Sequence, residues 1–558
     1  MFNDKAALNR PVLIIDDSPM YRTAAKGMLQ KLGYSSPTID FAQDAKEAIS
    51  KCRTNNYSLV FFDYNLGKKA NGYQLIDELK EKQLLSPDCV NIIVTADSTP
   101  EVVRGFMELE PDGYLLKPLN YTTLKERLPQ FANKKRHLGD VMTIIGNKEY
   151  QKAIDAIDQA FYKQDDIIVR SQILKAQALI GLGQLDEARN ILINVKDSPE
   201  QSSVNLQLAK LAFEQRQYKQ AVFLATQVKQ DAFRSAQANE LCAEIYAAQS
   251  QYEQAVDEIE AALSISPKVI ERHLKRIAYN LALFDLKSAI SSIVTMQAEV
   301  KNSFRDSVDH YLLGASITLD QAQFQSNENR DVHIAAVAKL VDQWRQQFVR
   351  DEYKAFELLL FSRVYHLKSD FQKSRAYFKQ YLDLLSEQPE REVTLYEKIE
   401  LTKASFAVHD TDQYRAAAKQ VTDHLRNADP SPLNQPIFSY FQQYRSKAEQ
   451  GYAHIVKVKE HAKQYVASKH FEKASTLLSK AVSTNVVDSE ICLLTMEVLT
   501  QSWPLNWNRN QVLRTAILCK EHLHGTKYEK TKRFYKACDT LAKQLKYSDL
   551  RVTGSLAV

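Results

Sequence analysis

Apolar and polar residues alternate along the first 133 positions in a way that predicts short strands separated by helices. Helical patterns begin with cap signals, as at Ser18-Pro19 and Thr99-Pro100. The apolar runs between them are short and rich in β-branched and aromatic residues, which is typical of parallel strands buried on both faces. The five runs are Val12–Ile15, roughly Thr38–Phe41, Leu59–Phe62, Asn91–Thr95 and Gly113–Leu116. This pattern predicts a doubly wound α/β domain with a five-stranded parallel sheet.

After residue 133 the strand signals stop and a helical repeat begins. Each copy has an aromatic residue or leucine, followed three positions later by alanine, and the alanines recur every 33–35 residues. The five pairs are Tyr150/Ala153, Leu185/Ala188, Tyr218/Ala221, Tyr252/Ala255 and Leu286/Ala289. A fixed period with two amphipathic helices per unit predicts stacked helical hairpins, in which the small residues allow close packing.

Beyond residue 300 the repeat is degenerate. Ser374, Ala417 and Ala474 stand at the small position, but their spacing is irregular. The predicted domains are 1–133, an α/β domain; 134–300, regular repeats; 301–490, degenerate helical repeats; and 491–558, a C-terminal helical segment. The stretch ANKKRH (132–137) is predicted to be a short junction between the last helix of the first domain and the first repeat helix. Whether the array is continuous or splits near residue 330 stays open.

Composition narrows the class of protein. The 558 residues are 44 % hydrophobic and 25 % charged, which is typical of globular domains, and the net charge of +5 is a weak bias. The six cysteines are scattered without a C-x-x-C pair, which argues against a zinc site and fits a reducing compartment. No signal-peptide pattern or membrane-length apolar run is present. The sequence therefore predicts a cytoplasmic protein without a membrane partner.

Polar residues follow the predicted strands at the edge where such sheets bind ligands. Asp16 and Asp17 follow the first strand, Asp63 follows the third, Thr95 ends the fourth, and Lys117 follows the fifth. Carboxylates that lie close together repel one another unless a hard cation such as Mg²⁺ joins them. Aspartate is a covalent phosphoryl acceptor in proteins, and a metal and an ammonium beside it would neutralise the incoming charge. Asp63 is therefore a candidate phosphorylation site.

Four segments resemble the signatures of response-regulator receiver domains, which are CheY-like and flavodoxin-like in fold. They are VLIIDDSPMYR, VFFDYNLG, IIVTAD and DGYLLKPL, within residues 10–133. The resemblance implies that Asp63 is the phosphoacceptor. It also implies that Asp17 binds Mg²⁺ directly and Asp16 through water, together with Asp63 and the backbone carbonyl of Asn65.

By the same resemblance, Thr95 and Lys117 contact the phosphoryl oxygens and Tyr114 is the aromatic switch residue. The Lys117–Pro118 peptide is expected to be cis. Gly67 stands where the family usually has proline, so the loop after Asp63 departs from the family pattern.

The repeats resemble tetratricopeptide repeats (TPR). In the fourth copy, Tyr246, Ala255, Ala262 and Pro267 occupy the family's aromatic, small and closing proline positions. The resemblance implies an all-α superhelix with a surface that binds other proteins.

The two resemblances together predict a two-component response regulator. A histidine kinase, a phosphotransfer protein or a small phosphodonor would phosphorylate Asp63, and the repeats would bind a target protein in a phosphorylation-dependent way. No helix-turn-helix signature is evident, which favours protein recognition by the repeats as the output. No cyclic-dinucleotide or P-loop signature is evident either, so no enzymatic activity is expected beyond the receiver's own phosphoryl transfer and autodephosphorylation. The resemblance also allows a homodimer that forms through the receiver domain.

Two alternatives stay open. One is a scaffold that works without phosphorylation. The other is a nucleic-acid regulator that uses the basic tail Lys520–Arg551, where nine Lys or Arg face four Asp or Glu. An amphipathic terminal helix with a solvated basic face is the favoured interpretation of that tail, so nucleic acid is not the expected partner.

Overall fold

The computed structural model describes residues 8–67, 71–96, 99–231, 233–324, 329–428, 431–482, 488–526 and 528–551. Two compact units divide the chain. The first comprises Met1–Tyr279 and Val294–Asp306, and the second comprises Asn280–Ile293 and Ser307–Val558. Among the helices of the described part, none is both long and apolar enough to cross a membrane.

A five-stranded parallel sheet forms the N-terminal domain, with strand order β2-β1-β3-β4-β5. The strands are β1 Val12–Ile15, β2 Ile39–Ala42, β3 Leu59–Phe62, β4 Val90–Thr95 and β5 Gly113–Leu116, and the helices are α1 Pro19–Lys31, α2 Ala45–Thr54, α3 Gly72–Glu81, α4 Pro100–Glu108 and α5 Tyr121–Gly146. The predicted doubly wound fold is confirmed. β2 begins later than the sequence predicts, because Ser36–Thr38 form a short 3₁₀ turn.

Side-chain caps fix the starts of the helices that surround the sheet. Ser18 caps α1, with proline in its first turn, and Asp44 accepts a hydrogen bond from the Glu47 amide at the start of α2. Asn71 and Gln74 form a capping box at α3. The apolar strands are buried on both faces by these helices, as their continuous apolar runs predict. The rigid sheet sets the positions of the residues at its carboxyl edge.

The last helix of the α/β domain does not end where the sequence analysis places a junction. α5 runs unbroken from Tyr121 to Gly146, through the whole of 132–137, with Pro129 inside it. Buried apolar residues continue along it from Leu124 to Ile145. Lysine, arginine and alanine in the supposed junction are good helix formers, and no glycine or proline interrupts 130–138. The helix therefore belongs to both domains.

The rest of the chain is helical in its described part. The helices are α6 Tyr150–Gln159, α7 Asp165–Gly181, α8 Leu185–Asn194, α9 Gln201–Glu214, α10 Tyr218–Val228, α11 Ser235–Ala248, α12 Tyr252–Ile265, α13 Ile270–Ala282, α14 Leu286–Val300, α15 Val308–Phe324, α16 Arg330–Gln347, α17 Arg350–Leu367, α18 Phe371–Glu387, α19 Leu395–Ala407, α20 Thr411–Asn427, α21 Asn434–Ala467, α22 Phe471–Val482, α23 Ser489–Leu499, α24 Arg509–Leu523 and α25 Lys532–Gln544. The predicted succession of an α/β domain and an all-helical repeat region is confirmed.

The repeat signature has a plain structural meaning. Its aromatic or leucine is the first residue of the second helix in each hairpin, and all five of its alanines are fully buried. Two positions before that helix, a residue with positive φ turns the chain. These residues are Lys148, Gly183, Arg216, Ser250 and Phe284, and Ser369, His409 and Lys469 make the same turn in later hairpins. Only one of them is glycine, so the turn is hard to detect in the sequence.

A group of four charged side chains, the closed cluster, is buried in the second unit. It consists of Asp320, Arg363, Glu400 and Lys403, each at most 2 % exposed. Arg363 donates hydrogen bonds to Asp320 (2.7 Å) and Glu400 (2.8 Å), and Lys403 donates to Asp320 (2.8 Å). Burial acts to lower the pKa of both cations. At Arg363 the two carboxylates outweigh burial and raise the pKa, whereas at Lys403 burial outweighs them and the pKa is lowered. Two anions and two cations thus neutralise one another.

Candidate functional site

The strand ends bring two carboxylates side by side in the first unit. β1 and β3 are hydrogen-bonded neighbours with Ile15 paired to Phe62, so the residues that follow them are adjacent. The Asp63 amide continues the ladder by donating to the Ile15 carbonyl at 3.0 Å. Asp16 is 1 % and Asp63 6 % exposed. The sheet register itself therefore places both groups at the carboxyl edge.

A third carboxylate completes the group that we call the acidic site: Asp16, Asp17 and Asp63. Their carboxylate oxygens lie within 4.8 Å of one another, although Asp17 is exposed. Oxygen ligands of this kind suit Mg²⁺. The residues present therefore fit a divalent cation.

Lys117 is the cation of this site. Its Nζ lies 2.6 Å from Asp16 Oδ2 and 2.9 Å from Asp63 Oδ2. Its position follows from the sheet, because the Lys117 amide donates to the Thr95 carbonyl at the end of β4. The Lys117–Pro118 peptide is cis, as the resemblance implies.

One ammonium does not neutralise three carboxylates. Burial raises the pKa of Asp63, and the hydrogen bond from Lys117 only partly offsets that effect. Although burial opposes the charge of Lys117, its hydrogen bonds to Asp16 and Asp63 raise its pKa. The folded chain therefore holds Asp63 in a place where its negative charge is unfavourable, and a bound cation would relieve this.

The other predicted site residues lie nearby in the fold. Thr95 is the last residue of β4 and is 1 % exposed. Tyr114 is half-buried on β5 and packs against the apolar cluster on one face of the sheet. Asn65 is exposed in the loop after Asp63. The roles assigned to these three residues stay predictions.

Glycine is required at two points of the loop after Asp63. Gly67 has φ +87°, a left-handed conformation that glycine adopts without strain. A Cβ at Gly72 would lie 2.0 Å from the Asp63 carbonyl oxygen, so no other residue fits there without a shift of the backbone. The start of α3 therefore packs tightly against the Asp63 backbone. Lys68 and Lys69, which belong to this loop, lie outside the described residues.

The sequence analysis missed one aromatic residue at the site. Lys117 Nζ lies 4.3 Å from the centre of the Tyr21 ring, within reach of a cation–π interaction. Burial and the charges of Asp16 and Asp63 raise the pKa of the Tyr21 hydroxyl. Tyr21 lies in the first turn of α1, four residues after Asp17, and this position was the available signal.

The same unit holds a contact between the sheet domain and the helical repeats, which we call the docking contact. Arg305 Nε lies 2.6 Å from Asp77 Oδ2 on α3, and Arg305 also pairs with Glu271 at 3.3 Å. Gln74 at the start of α3 donates to the Glu299 carbonyl at 3.1 Å. α3 is thereby tied to the segment that follows α14.

Arg272 makes the second part of the docking contact. This side chain is 1 % exposed and bridges Glu108 of α4 (3.1 Å) and Glu240 of α11 (2.8 Å). Glu240 has a second cation, Lys275, and the two cations lower its pKa against the effect of burial. Glu108 pairs with one cation of the described residues, Arg272, and burial raises its pKa. The charge of Glu108 on α4 is therefore less well compensated than that of Glu240 on α11.

The docking contact reaches the residue next to Asp63. The Tyr64 amide donates to Asp63 Oδ1 at 2.8 Å. The Tyr64 ring packs edge-on against Phe106 of α4, with 5.7 Å between ring centres, and Lys268 Nζ lies 5.9 Å from the ring centre. A change at the Asp63 carboxylate thus has a short physical route to the repeats.

Two family models match the chain. Residues 12–129 match the response regulator receiver domain, and residues 136–299 match a tetratricopeptide repeat-like domain. The chain therefore carries a response regulator receiver domain followed by a TPR-like region.

Two similar curated proteins match about a fifth of this chain. A gliding motility regulatory protein of Myxococcus xanthus is 33 % identical over 112 residues, 20 % of this chain and 14 % of that protein. An uncharacterised response regulatory protein of Staphylococcus epidermidis is 32 % identical over 117 residues, 21 % of this chain and 44 % of that protein. The matches thus span less than half of either relative.

Receiver domains are among the solved structures that are similar to part of this chain. A CheY-like receiver domain protein of Methanospirillum hungatei is 23 % identical and covers 23 % of this chain and 97 % of that one, with a TM-score of 0.21. A Francisella response regulator receiver domain is 26 % identical and covers 23 % and 98 %, with a TM-score of 0.20.

Proposed function

We propose that this chain is a two-component response regulator that is phosphorylated on Asp63 and whose TPR-like region binds a target protein according to the phosphorylation state. The observation that carries the proposal is the uncompensated acidic site beside Lys117, one residue away from a ring that contacts the repeats. The histidine kinase or phosphotransfer protein, the target and a cytoplasmic location are parts of this proposal.

In the proposed reaction, a carboxylate oxygen of Asp63 attacks the phosphorus of a phosphohistidine. A P–O bond forms, the P–N bond breaks, and its electron pair remains on the imidazole, which takes up a proton. Mg²⁺ held by Asp16, Asp17, Asp63 and the Asn65 carbonyl would supply charge that offsets the phosphoryl oxygens. Lys117 and the Thr95 hydroxyl would donate hydrogen bonds to those oxygens. No other catalytic activity is proposed.

The proposed signal runs through the docking contact. Phosphorylation adds charge at Asp63 and draws Lys117 and Thr95 toward the phosphoryl group. The contact between Tyr64 and Phe106 then shifts α4 relative to Arg272. Arg272 only partly compensates the buried charge of Glu108 on α4, so this ion pair is the weaker link. This alters the repeat surface that is available to a target.

The test is hydrogen exchange of the full chain with and without Mg²⁺ and beryllofluoride, a phosphoryl mimic. The expected result is changed exchange in α3, α4 and α13, together with a change in the proteins captured from a lysate. The Asp63→Asn variant should show neither change. Identical exchange and capture in wild type with and without the mimic would contradict the switch and favour the scaffold alternative.

Nucleic-acid binding through the basic tail gains no support. Tyr528, Phe534 and Tyr547 pack onto the C-terminal core, so these rings are not presented for stacking on bases.

A further inference from the structure

A cavity of about 360 Å³ lies between the receiver and the repeats of the first unit. Its repeat side is formed by α5, α7, α9 and the turn before α11, and its receiver side by the segment Glu110–Asp112. Charge is distributed unevenly around it. The repeat side contributes five cations and no carboxylate to the lining: Lys134, Lys135, Arg170, Lys210 and Arg234.

These cations are only partly compensated. Glu200, outside the lining, pairs with Arg234 at 3.3 Å and Arg170 at 3.9 Å. Lys135 pairs with Asp112 of the receiver at 3.4 Å. Within the described ranges, Lys134 and Lys210 have no carboxylate within 4.0 Å. The repeat side of the cavity, which we call the repeat wall, therefore attracts negative charge, and Asp112 of the receiver supplies part of that charge.

A second observation points to a ligand. The Gln207 side chain, 8 % exposed, lines the cavity, and its Oε1 is buried without a hydrogen-bond donor. A buried acceptor without a donor costs free energy, so a donor in the cavity would favour a turn of this side chain toward it. The repeat side of the lining also has apolar residues, among them Leu174, Leu206 and Met142, and the Phe233 side chain is 57 % exposed.

We propose that this wall binds an acidic peptide segment with apolar side chains on the target protein, and that the receiver segment Glu110–Asp112 competes for it. The proposal rests on the proposed function, because it names the kind of target and the way in which the receiver withholds the site. Carboxylates of the target replace Asp112 at Lys135 and reach Lys134 and Lys210. Its apolar side chains cover Leu174 and Leu206, and a backbone N–H donates to Gln207 once that side chain turns toward the cavity.

The experiment measures binding of a fluorescein-labelled peptide of alternating glutamate and leucine to the full chain by anisotropy. The Glu110→Gln/Asp112→Asn double variant should bind it about 10-fold more tightly than wild type, because the competing charges are gone. Lys210→Glu should weaken binding by about 10-fold, whereas Lys219→Glu, an exposed lysine outside the lining, should not. A peptide of lysine and leucine should not bind.

Three results would overturn the proposal: no binding of the acidic peptide to the double variant, equal losses with Lys210→Glu and Lys219→Glu, or tighter binding of a single-stranded oligonucleotide that displaces the peptide. The proposed function fails separately. If the peptide binds in the expected variant order but Mg²⁺ with beryllofluoride leaves its affinity unchanged, the acidic-peptide site stands and the phosphorylation switch does not.

Discussion

The acidic site and the closed cluster both combine buried carboxylates with cations, but they differ in net charge. In the acidic site, three carboxylates face one ammonium, and one of the carboxylates is open to solvent. In the closed cluster, two carboxylates face two cations, and Tyr440 and Tyr444 shield the group from water.

The difference separates a site from a structural element. A charge-balanced, hydrogen-bonded group needs nothing further, and removing one member leaves a buried charge uncompensated. A group with excess negative charge is unfavourable by itself and becomes favourable when a cation arrives. Excess negative charge beside an open edge is therefore the feature that makes the acidic site, and not the closed cluster, a candidate binding site.

The sharpest test is the same substitution in both groups. Asp320→Asn should destabilise the second unit by about 3–5 kcal/mol, because Arg363 and Lys403 then share one carboxylate. Asp63→Asn in EDTA should instead stabilise the receiver by roughly 1 kcal/mol, since it removes a charge that burial disfavours. Native-state hydrogen exchange of Val308–Phe324 and of the sheet measures each effect locally.

Exposed aspartates serve as matched controls for this pair of substitutions. Asp309→Asn on the same helix as Asp320, and Asp140→Asn on α5, should change little. Effects of the same sign in the two groups would contradict the comparison.

The effect of Mg²⁺ on variants that lack one cation gives a second, smaller contrast between the acidic site and the closed cluster. Lys117→Gln should destabilise the receiver by about 1–2 kcal/mol in EDTA, and millimolar Mg²⁺ should restore most of it by binding the three carboxylates. Arg363→Gln should lose stability that Mg²⁺ does not restore, because the closed cluster is inaccessible. Thermal unfolding and hydrogen exchange in EDTA and in Mg²⁺ measure both. Rescue of Arg363→Gln by Mg²⁺ would show that the closed cluster is also a cation site.

Among the described residues, no carboxylate offsets the positive neighbours of a third buried group, the His522 imidazole. Burial and the neighbouring His409, His366 and Arg375 lower the pKa of His522 to about 2, from an ordinary value of 6.5. Below pH 6.5 the unfolded chain therefore binds a proton at His522 and the folded chain does not. The contribution of His522 to stability is full above that pH and is lost as the pH falls below it. The loss should be about 1 kcal/mol between pH 6.5 and 5.5, measured by exchange of α24.

His522→Gln is the control, because it should flatten that part of the pH profile. An unchanged profile in His522→Gln would assign the loss to other groups.

The acidic site was predictable because topology alone determines it. Asp16, Asp63 and Lys117 each follow a strand, and the ends of parallel strands must meet at one edge. The receiver's strands were equally visible, since buried parallel strands are continuous apolar runs. The regular repeats were visible because their alanines recur at a fixed interval.

The docking contact and the closed cluster were not predictable in this way. Arg272 meets Glu108, and Arg305 meets Asp77, across long stretches of sequence that no local pattern connects. α15 fits the repeat poorly in sequence because buried polar residues such as Ser316 and Asp320 interrupt its apolar pattern. Every hairpin turn of this set except the one at Gly183 has a residue other than glycine at positive φ, so glycine rarely marks these turns in the sequence.

The unbroken helix α5 has a consequence for how such a chain can change over generations. Each residue of an α-helix adds about 100° of rotation and about 1.5 Å of length. Gain or loss of one codon between residues 132 and 138 would swing every downstream hairpin around the helix axis and pull Arg272 and Arg305 away from the receiver. A gain of seven codons, close to two full turns, would nearly preserve the angle but lengthen the helix by about 10 Å. The number of residues in this segment therefore matters to the docking contact, whichever side chains occupy its exposed positions.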